Sequence, residues 1–449
     1  MSSPESSGKI QSGAHLKRAL SLWDLVFYGI ILIQPTAPMP PFGVVSRVAR
    51  GHVVTTVLIA MVAMLFTAIS YGRMARAYPS AGSAYTYVGR EINSGLGFVT
   101  GWSLAMDYIL NPIICTIWCS KAALNLVPEI PYPVWAVFFA LLFTLLNLRG
   151  IRATARTNEV LVLAMCVVIV YFFIAATRYI MHQHGVSFTL PFYNPATFSW
   201  GNISTGTSVA VLTYIGFDGI STLSEEAHNP RRNIMLATVL VCLITGVLAS
   251  LEVYAGQLVW PDYKSYPDVD TAFSYVAGRA GGPLLFQVVN LTLLVATIGS
   301  GMGSQLGAAR LLYGMGRDNT IPRGFFGVIE SKRGIPRNNV LFVGVLAVAG
   351  AFAMTYELGA ELLNFGAIIG FMGVNAAAFI RYFVRGDRKS WNAGLPPVLG
   401  FLFCLYIWKS LHTPALVAGG IWLIIGILYA AYKTNGFRQA IVFSDPPPE

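Results

Sequence analysis

The chain has 449 residues, 55% of them hydrophobic and only 11% charged, with a formal net charge of +10. So apolar a composition excludes a soluble enzyme and describes a polytopic membrane protein. The positive charge would suit nucleic acid, but it lies in the connections between apolar runs, where it orients a protein in the membrane, and no nucleic-acid partner is expected.

Residues 1–20 are polar and Ser-rich, with no small-residue cleavage site after a short apolar stretch. They read as a disordered cytoplasmic tail, not a removable signal peptide. One transmembrane domain is expected over 21–440 and a second cytoplasmic tail over 441–449. Apolar runs long enough to cross about 30 Å of hydrocarbon predict an all-α fold of twelve membrane helices: 22–48, 53–75, 92–124, 132–149, 158–181, 203–225, 235–259, 283–314, 339–356, 361–383, 394–410 and 413–432. Cys115, Cys119, Cys166, Cys242 and Cys404 all fall in these runs, where they act as small buried hydrophobes without disulfides.

With the N-terminus cytoplasmic, only seven of the 30 Lys and Arg residues fall on the far side: Arg47, Arg50, Lys121, Arg178, Lys264, Arg279 and Lys409. That bias supports the orientation, an even number of spans and a cytoplasmic C-terminus. The densest cluster, Arg310, Arg317, Arg323, Lys332, Arg333 and Arg337, is predicted in one cytoplasmic loop, where it sets topology or meets anionic lipid.

Two spans are interrupted. In the first, Pro35, Pro38, Pro40 and Pro41 fall within Gln34-Pro35-Thr36-Ala37-Pro38-Met39-Pro40-Pro41. Each proline lacks an N–H and clashes with the carbonyl one turn back, so no continuous helix passes through them. Freed backbone groups cannot face lipid, so the break must line protein or a water-filled cavity. The second interruption, Thr213-Tyr214-Ile215-Gly216-Phe217-Asp218-Gly219-Ile220-Ser221, lies in the sixth span. Broken spans five helices apart are what an inverted repeat of five plus five helices produces, with the binding site at the breaks. Repeat one then covers about 22–181, repeat two about 203–383, and spans 11 and 12 (394–432) are appended.

These residues resemble the amino acid, polyamine and organocation transporter superfamily, whose members share the leucine-transporter fold. The most specific stretch is Gly216-Phe217-Asp218-Gly219-Ile220-Ser221 followed by Glu225-Glu226 and Asn229-Pro230. Tyr78-Pro79-Ser80-Ala81-Gly82-Ser83-Ala84-Tyr85, Ala309-Arg310 with Tyr313-Gly314-Met315-Gly316-Arg317-Asp318 and Ile321-Pro322, and Asn364-Phe365-Gly366 resemble further motifs of the superfamily. Within it, the nearest resemblance is to bacterial putrescine importers, through Gln34-Pro35, Ser80 to Tyr87 and Gly216 to Ser221. One departure falls in the first break, where those importers carry an acid and this chain has Met39-Pro40-Pro41.

The resemblance implies a secondary active transporter in the cell inner or plasma membrane, importing an amino acid or polyamine-like amine by alternating access with proton symport. Its rivals are a substrate/product antiporter, a channel and a non-transporting nutrient sensor; no paired nucleophile and base suggests an enzyme. In such a site half-helix N-termini hold a carboxylate, while half-helix C-termini and unwound carbonyls hold an ammonium. The prolines remove four N–H groups from the first break and leave those of Thr36, Ala37 and Met39, so an amine should be held better than a carboxylate.

The expected substrate-binding set is Gln34, Thr36, Ala37, Tyr108, Tyr214, Gly216, Phe217 and Asp218. Asp218 pairs with an ammonium or the coupling proton, or caps its own broken helix. Asp107, an acid within the third span, is functional by default and faces the site or a proton path, or else makes a structural hydrogen bond. Glu159 beside Arg156 is a proton relay or an interfacial ion pair, and Asp107, Asp218 and Glu159 form the expected proton-coupling set. Glu252 fits either role. Phe217, Tyr214 and Tyr108 offer cation–π faces worth about 0.5–2 kcal/mol. Thr297, Ser300 and Ser304 alternate with Gly299, Gly301 and Gly303 and read as close helix packing. Glu225 and Glu226 near Arg231 and Arg232 suggest a cytoplasmic gate. His182 and His184 lack metal-ligand company, no phosphate-cradling loop appears, and no metal or other cofactor is expected.

Overall fold

The structure is a computed structural model that describes residues 20–78, 83–149, 155–224, 227–317, 321–330, 334–386 and 390–434. Residues 1–19 and 441–449 of the expected tails, Pro79 to Gly82, Glu225 and Glu226, Asp318, and Lys332 and Arg333 lie outside the described residues.

Helix α1 (Leu22–Ile33) starts at a capping box: Ser21 Oγ accepts from the Asp24 N–H at 3.3 Å, and Asp24 accepts from the Ser21 N–H at 2.8 Å. Such reciprocal caps satisfy N–H groups that a helix start leaves bare. It stops where Gln34 takes φ 71° just ahead of Pro35. Turns cover Gln34 to Pro41, and α2 (Phe42–Val48) follows. The chain continues through α3 (Val53–Ala77), a short α4 (Ser83–Glu91), α5 (Ser94–Leu126), α6 (Tyr132–Leu148) and α7 (Ala155–Met181).

The second interruption has a softer form. Helix α8 (Trp200–Ala210) tightens into 3-10 turns over Val211–Tyr214, reverses at Gly216 (φ 115°), and resumes as 3-10 turns over Phe217–Leu223. A φ in that region is open to glycine and strained for residues with a Cβ. Then come α9 (Pro230–Val259), α10 (Ala272–Arg317), α11 (Arg323–Phe326), α12 (Arg337–Ala353), α13 (Tyr356–Phe379) ending in a π turn over Ile380–Val384, α14 (Trp391–Lys409) and α15 (Thr413–Lys433). Two rods make up α10, joined at Gly282 (φ 79°) and Pro283.

Outside the two breaks the predicted apolar runs lie mainly on helices, and the described residues form no strand, only two isolated bridges. Eight helices are long and apolar enough to cross a membrane unaided; α1, α6 and α12 are shorter apolar helices. The chain is thus an all-helical, multi-pass membrane protein. One expectation changes: Arg310 and Arg317 are not in a loop, because α10 stays helical through Arg317.

The helices that surround the breaks are locked by close contacts. At Gly366 of α13, an added Cβ would lie 2.3 Å from the Ser103 carbonyl oxygen of α5, so no larger residue fits that crossing. Asn364, one half-turn earlier, donates to the Ser208 carbonyl at 2.7 Å and to that of Val209 at 3.3 Å. Those carbonyls belong to the last turn of α8, where its ladder gives way to the 3-10 turns of the break, so α13 adds a donor at the point of interruption.

Candidate functional site

A cavity of about 680 Å³ lies between the two breaks, a size suited to a small-molecule site. Its walls come from α1, α5, α6, α7, α10, both breaks and Tyr356 of α13. The first break is tied across it: the Gln34 side-chain amide donates to the Ala296 carbonyl of α10 at 3.1 Å.

The backbone sets the polarity. Of the three N–H groups that the prolines spare, Ala37 donates to the Gln34 carbonyl at 3.1 Å and Met39 to that of Thr36 at 3.0 Å. Two of three donors are therefore spent on turns. On the other side, Ile31, Leu32 and Ile33 line the cavity at the C-terminal end of α1, where helical carbonyls run out of donors and carry the negative pole of the helix. In α5, Pro112 removes the donor that the Tyr108 carbonyl would otherwise meet. The backbone at these points thus offers more open carbonyls than open N–H groups, which suits a cation.

Two acids add charge. Asp107 of α5 and Asp218 of the second break both line the cavity, and Asp107 feels the charge of Asp218. The Asp218 carboxylate is also within reach of the backbone N–H groups of Gly216, Asp218 and Gly219, so it caps its own broken helix while facing the cavity. Tyr108 and Gly216 line it as well. Opposed like charges repel, and an ammonium or a proton between them relieves that repulsion.

Four expected site residues are placed elsewhere. Tyr214 is fully buried and donates its hydroxyl to the Val57 carbonyl at 2.9 Å, which anchors the break to α3. Phe217 is equally buried, with its ring centre 5.5 Å from that of Tyr71 and 5.2 Å from that of Phe371. Thr36 turns behind the wall and donates to Met165 Sδ at 3.7 Å. Glu159 is exposed on α7 and does not line the cavity.

Other lining residues were not expected. Asn111, Ile114 with Cys115, and Trp118 follow the expected Asp107 every three to four residues and share one face of α5, a spacing that could have revealed the stripe. On α10, Thr297, Gly299, Ser300, Gly303 and Ser304 line the cavity, and a Cβ at Gly299 or Gly303 would meet open space. Of that run, Gly301 serves close packing, against Phe143. Arg310, expected in a loop, also lines the cavity.

Exposure shows which end is open. Tyr28, Leu32 and Tyr108 are 38–39% exposed, whereas Ile114, Cys115 and Trp118 are at most 6% exposed. Beyond Trp118 the segment between α9 and α10 forms a lid. The Trp118 indole donates to the Asp270 carbonyl at 2.8 Å, and Lys121 Nζ lies 3.2 Å from Asp268 and 3.3 Å from Asp270. Asn125 donates to Thr271 at 2.9 Å. Gly43 of α2 packs so tightly on the lid that an added Cβ would lie 2.0 Å from the Val269 carbonyl oxygen. Burial pushes the Asp270 carboxyl above its ordinary range, and Lys121 pulls it back. Nearby, Arg47 pairs with Glu357 at 2.8 Å.

Residues 25–430 match the family described as amino acid permease. The low-affinity putrescine importer PlaP of Escherichia coli (strain K12) is 34% identical over 445 residues, covering 96% of each chain. The branched-chain amino acid permease BcaP of Lactococcus lactis subsp. cremoris is 27% identical, covering 93% of this chain and 95% of its own. The vacuolar cationic amino acid transporter 4 of Arabidopsis thaliana is 29% identical, over 84% of this chain and 65% of its own.

Proposed function

Because the chain belongs to the amino acid permease family, we propose that it is a secondary transporter importing a cationic amine by alternating access, driven by proton symport. Members of this family are permeases and transporters, not enzymes. One observation carries the substrate class: Asp107, Asp218 and the carbonyl end of α1 surround one cavity, while the break's spared donors are largely spent on turns. A zwitterion would need donors for its carboxylate; a diamine needs acceptors at two places.

In this reading the twelve apolar segments span the membrane as a leucine-transporter-like repeat, with α14 and α15 appended and both termini cytoplasmic. The conformation is then open to the cytoplasm and closed by the lid on the far side. An ammonium sits against the α1 carbonyls and Asp218, with Tyr108 over it. A proton bound at Asp107 or Asp218 offsets the remaining charge. Import follows when the lid lifts, substrate and proton load, the lid closes and the α1 end opens. A proton gradient drives this cycle only if a carboxylate differs in protonation between the two facing states.

The test is uptake into proteoliposomes under an imposed pH gradient, competed by diamines, cationic amino acids and zwitterionic amino acids. Diamines should compete best, and an uncoupler should abolish accumulation. Stronger competition by zwitterions refutes the amine assignment. A requirement for internal counter-substrate, with no response to an uncoupler, identifies an exchanger.

A further inference from the structure

The cavity does not account for every buried acid. Glu252 lies within α9, is 0% exposed, and neither carboxylate oxygen has a hydrogen-bond partner among the described residues. Nearby polar groups are committed elsewhere: Ser250 donates to the Gly246 carbonyl at 2.7 Å, and Gln257 is bonded to Ser46 and the Pro261 carbonyl. The Cys166 thiol of α7 feels the Glu252 charge. Among the described residues, no charge on α1, α3, α10 or the 3-10 turns over Val211–Tyr214 and Phe217–Leu223, Asp218 included, which also pack on α9, acts on Glu252.

An acid with this surrounding is not a structural ion pair. Ionised, it would carry a desolvation penalty of several kcal/mol with nothing to offset it. As a neutral carboxylic acid it is tolerated, but glutamine or leucine would fill the same space without the liability. Its location is informative. Cys166 is adjacent in sequence to Met165, which lines the cavity and accepts the Thr36 hydroxyl from the first break. Glu252 therefore lies on a helix that packs directly against α7, one wall of the cavity.

We propose that Glu252 is a proton-binding site separate from the substrate cavity, loaded while the lid is open and carried in the buried state described here. When the α7 wall at Met165 parts, cavity water reaches the carboxyl and takes the proton, leaving a hydrated carboxylate that must be reloaded in the lid-open state. Coupling at this residue runs through conformation, without contact between Glu252 and substrate. The inference rests on the proton-symport reading.

The experiment compares wild type and Glu252→Gln in proteoliposomes, using labelled putrescine as the probe, by counterflow at equal pH and by accumulation under a gradient of one pH unit. Each coupled proton contributes about tenfold to accumulation at that gradient. E252Q should retain counterflow and lose about tenfold in gradient-driven accumulation. Retention of both overturns the Glu252 assignment alone, whereas a wild type that ignores the gradient overturns symport and this assignment together. If E252Q loses counterflow too, infrared difference spectra between acid and alkaline pH decide. A protonated-carboxyl band present in wild type and missing in E252Q supports the site, and identical bands in both overturn it.

Discussion

Lys121 offers the sharpest test of the lid. Its ammonium bridges Asp268 and Asp270 at 3.2 and 3.3 Å, with all three side chains between 18% and 32% exposed. Part-exposed pairs of this kind contribute about 0.5–1 kcal/mol each, so Lys121→Met removes about 1–2 kcal/mol from the closed lid. Since 1.4 kcal/mol is tenfold in an equilibrium, the open fraction should rise roughly 5- to 30-fold. The estimate counts only the ion pairs, because the Trp118 indole and Asn125 keep their bonds to the lid backbone and to Thr271. Cys115 lines the cavity just below the lid and is only 6% exposed. With Cys166, which is exposed, replaced by Ser, an impermeant maleimide added on the lid side should label Cys115 faster in K121M by that same factor. Lys121→Arg should restore the slow rate. An unchanged labelling rate in a K121M protein that still exchanges substrate would refute the latch.

Other expectations are equally direct. Asp218→Asn removes a charged partner for an ammonium, worth about 1.5–3 kcal/mol, and should raise the apparent KM for a diamine at least tenfold in uptake assays. Asn364→Ala removes the Asn364 donor from the Ser208 and Val209 carbonyls; at about 1–3 kcal/mol, a thermal-unfolding scan in detergent should show a lower midpoint. Gly366→Ala should destabilise the protein sharply, because its Cβ would enter the Ser103 carbonyl, whereas Gly303→Ala should be tolerated because its Cβ meets open space. Comparable yields and melting points for the two alanine variants would contradict the packing described. Glu159→Gln should leave transport unchanged in the same uptake assay, since Glu159 lies on an exposed face outside the cavity.

The apolar runs and both breaks were legible from the chain alone because their causes are local. A run of apolar residues is helical in a bilayer whatever its neighbours, and Pro35, Pro38, Pro40 and Pro41 stop a helix by covalent structure. Asp107 and Asp218 stood out because acids are rare in such runs, and the motif at Asn364 and Gly366 was visible without its purpose. Which face each helix turns inward was decided elsewhere. A span that is apolar all round carries no polar stripe to separate a lipid face from a protein face, so Tyr214 and Phe217 read as cavity aromatics until Val57, Tyr71 and Phe371 claimed them. Long-range contacts likewise set the lid on Lys121, carried α10 on to Arg310 beside the cavity, and left Glu252 without a hydrogen-bond partner among the described residues. Residues far apart in sequence make those arrangements, and only packing brings them together.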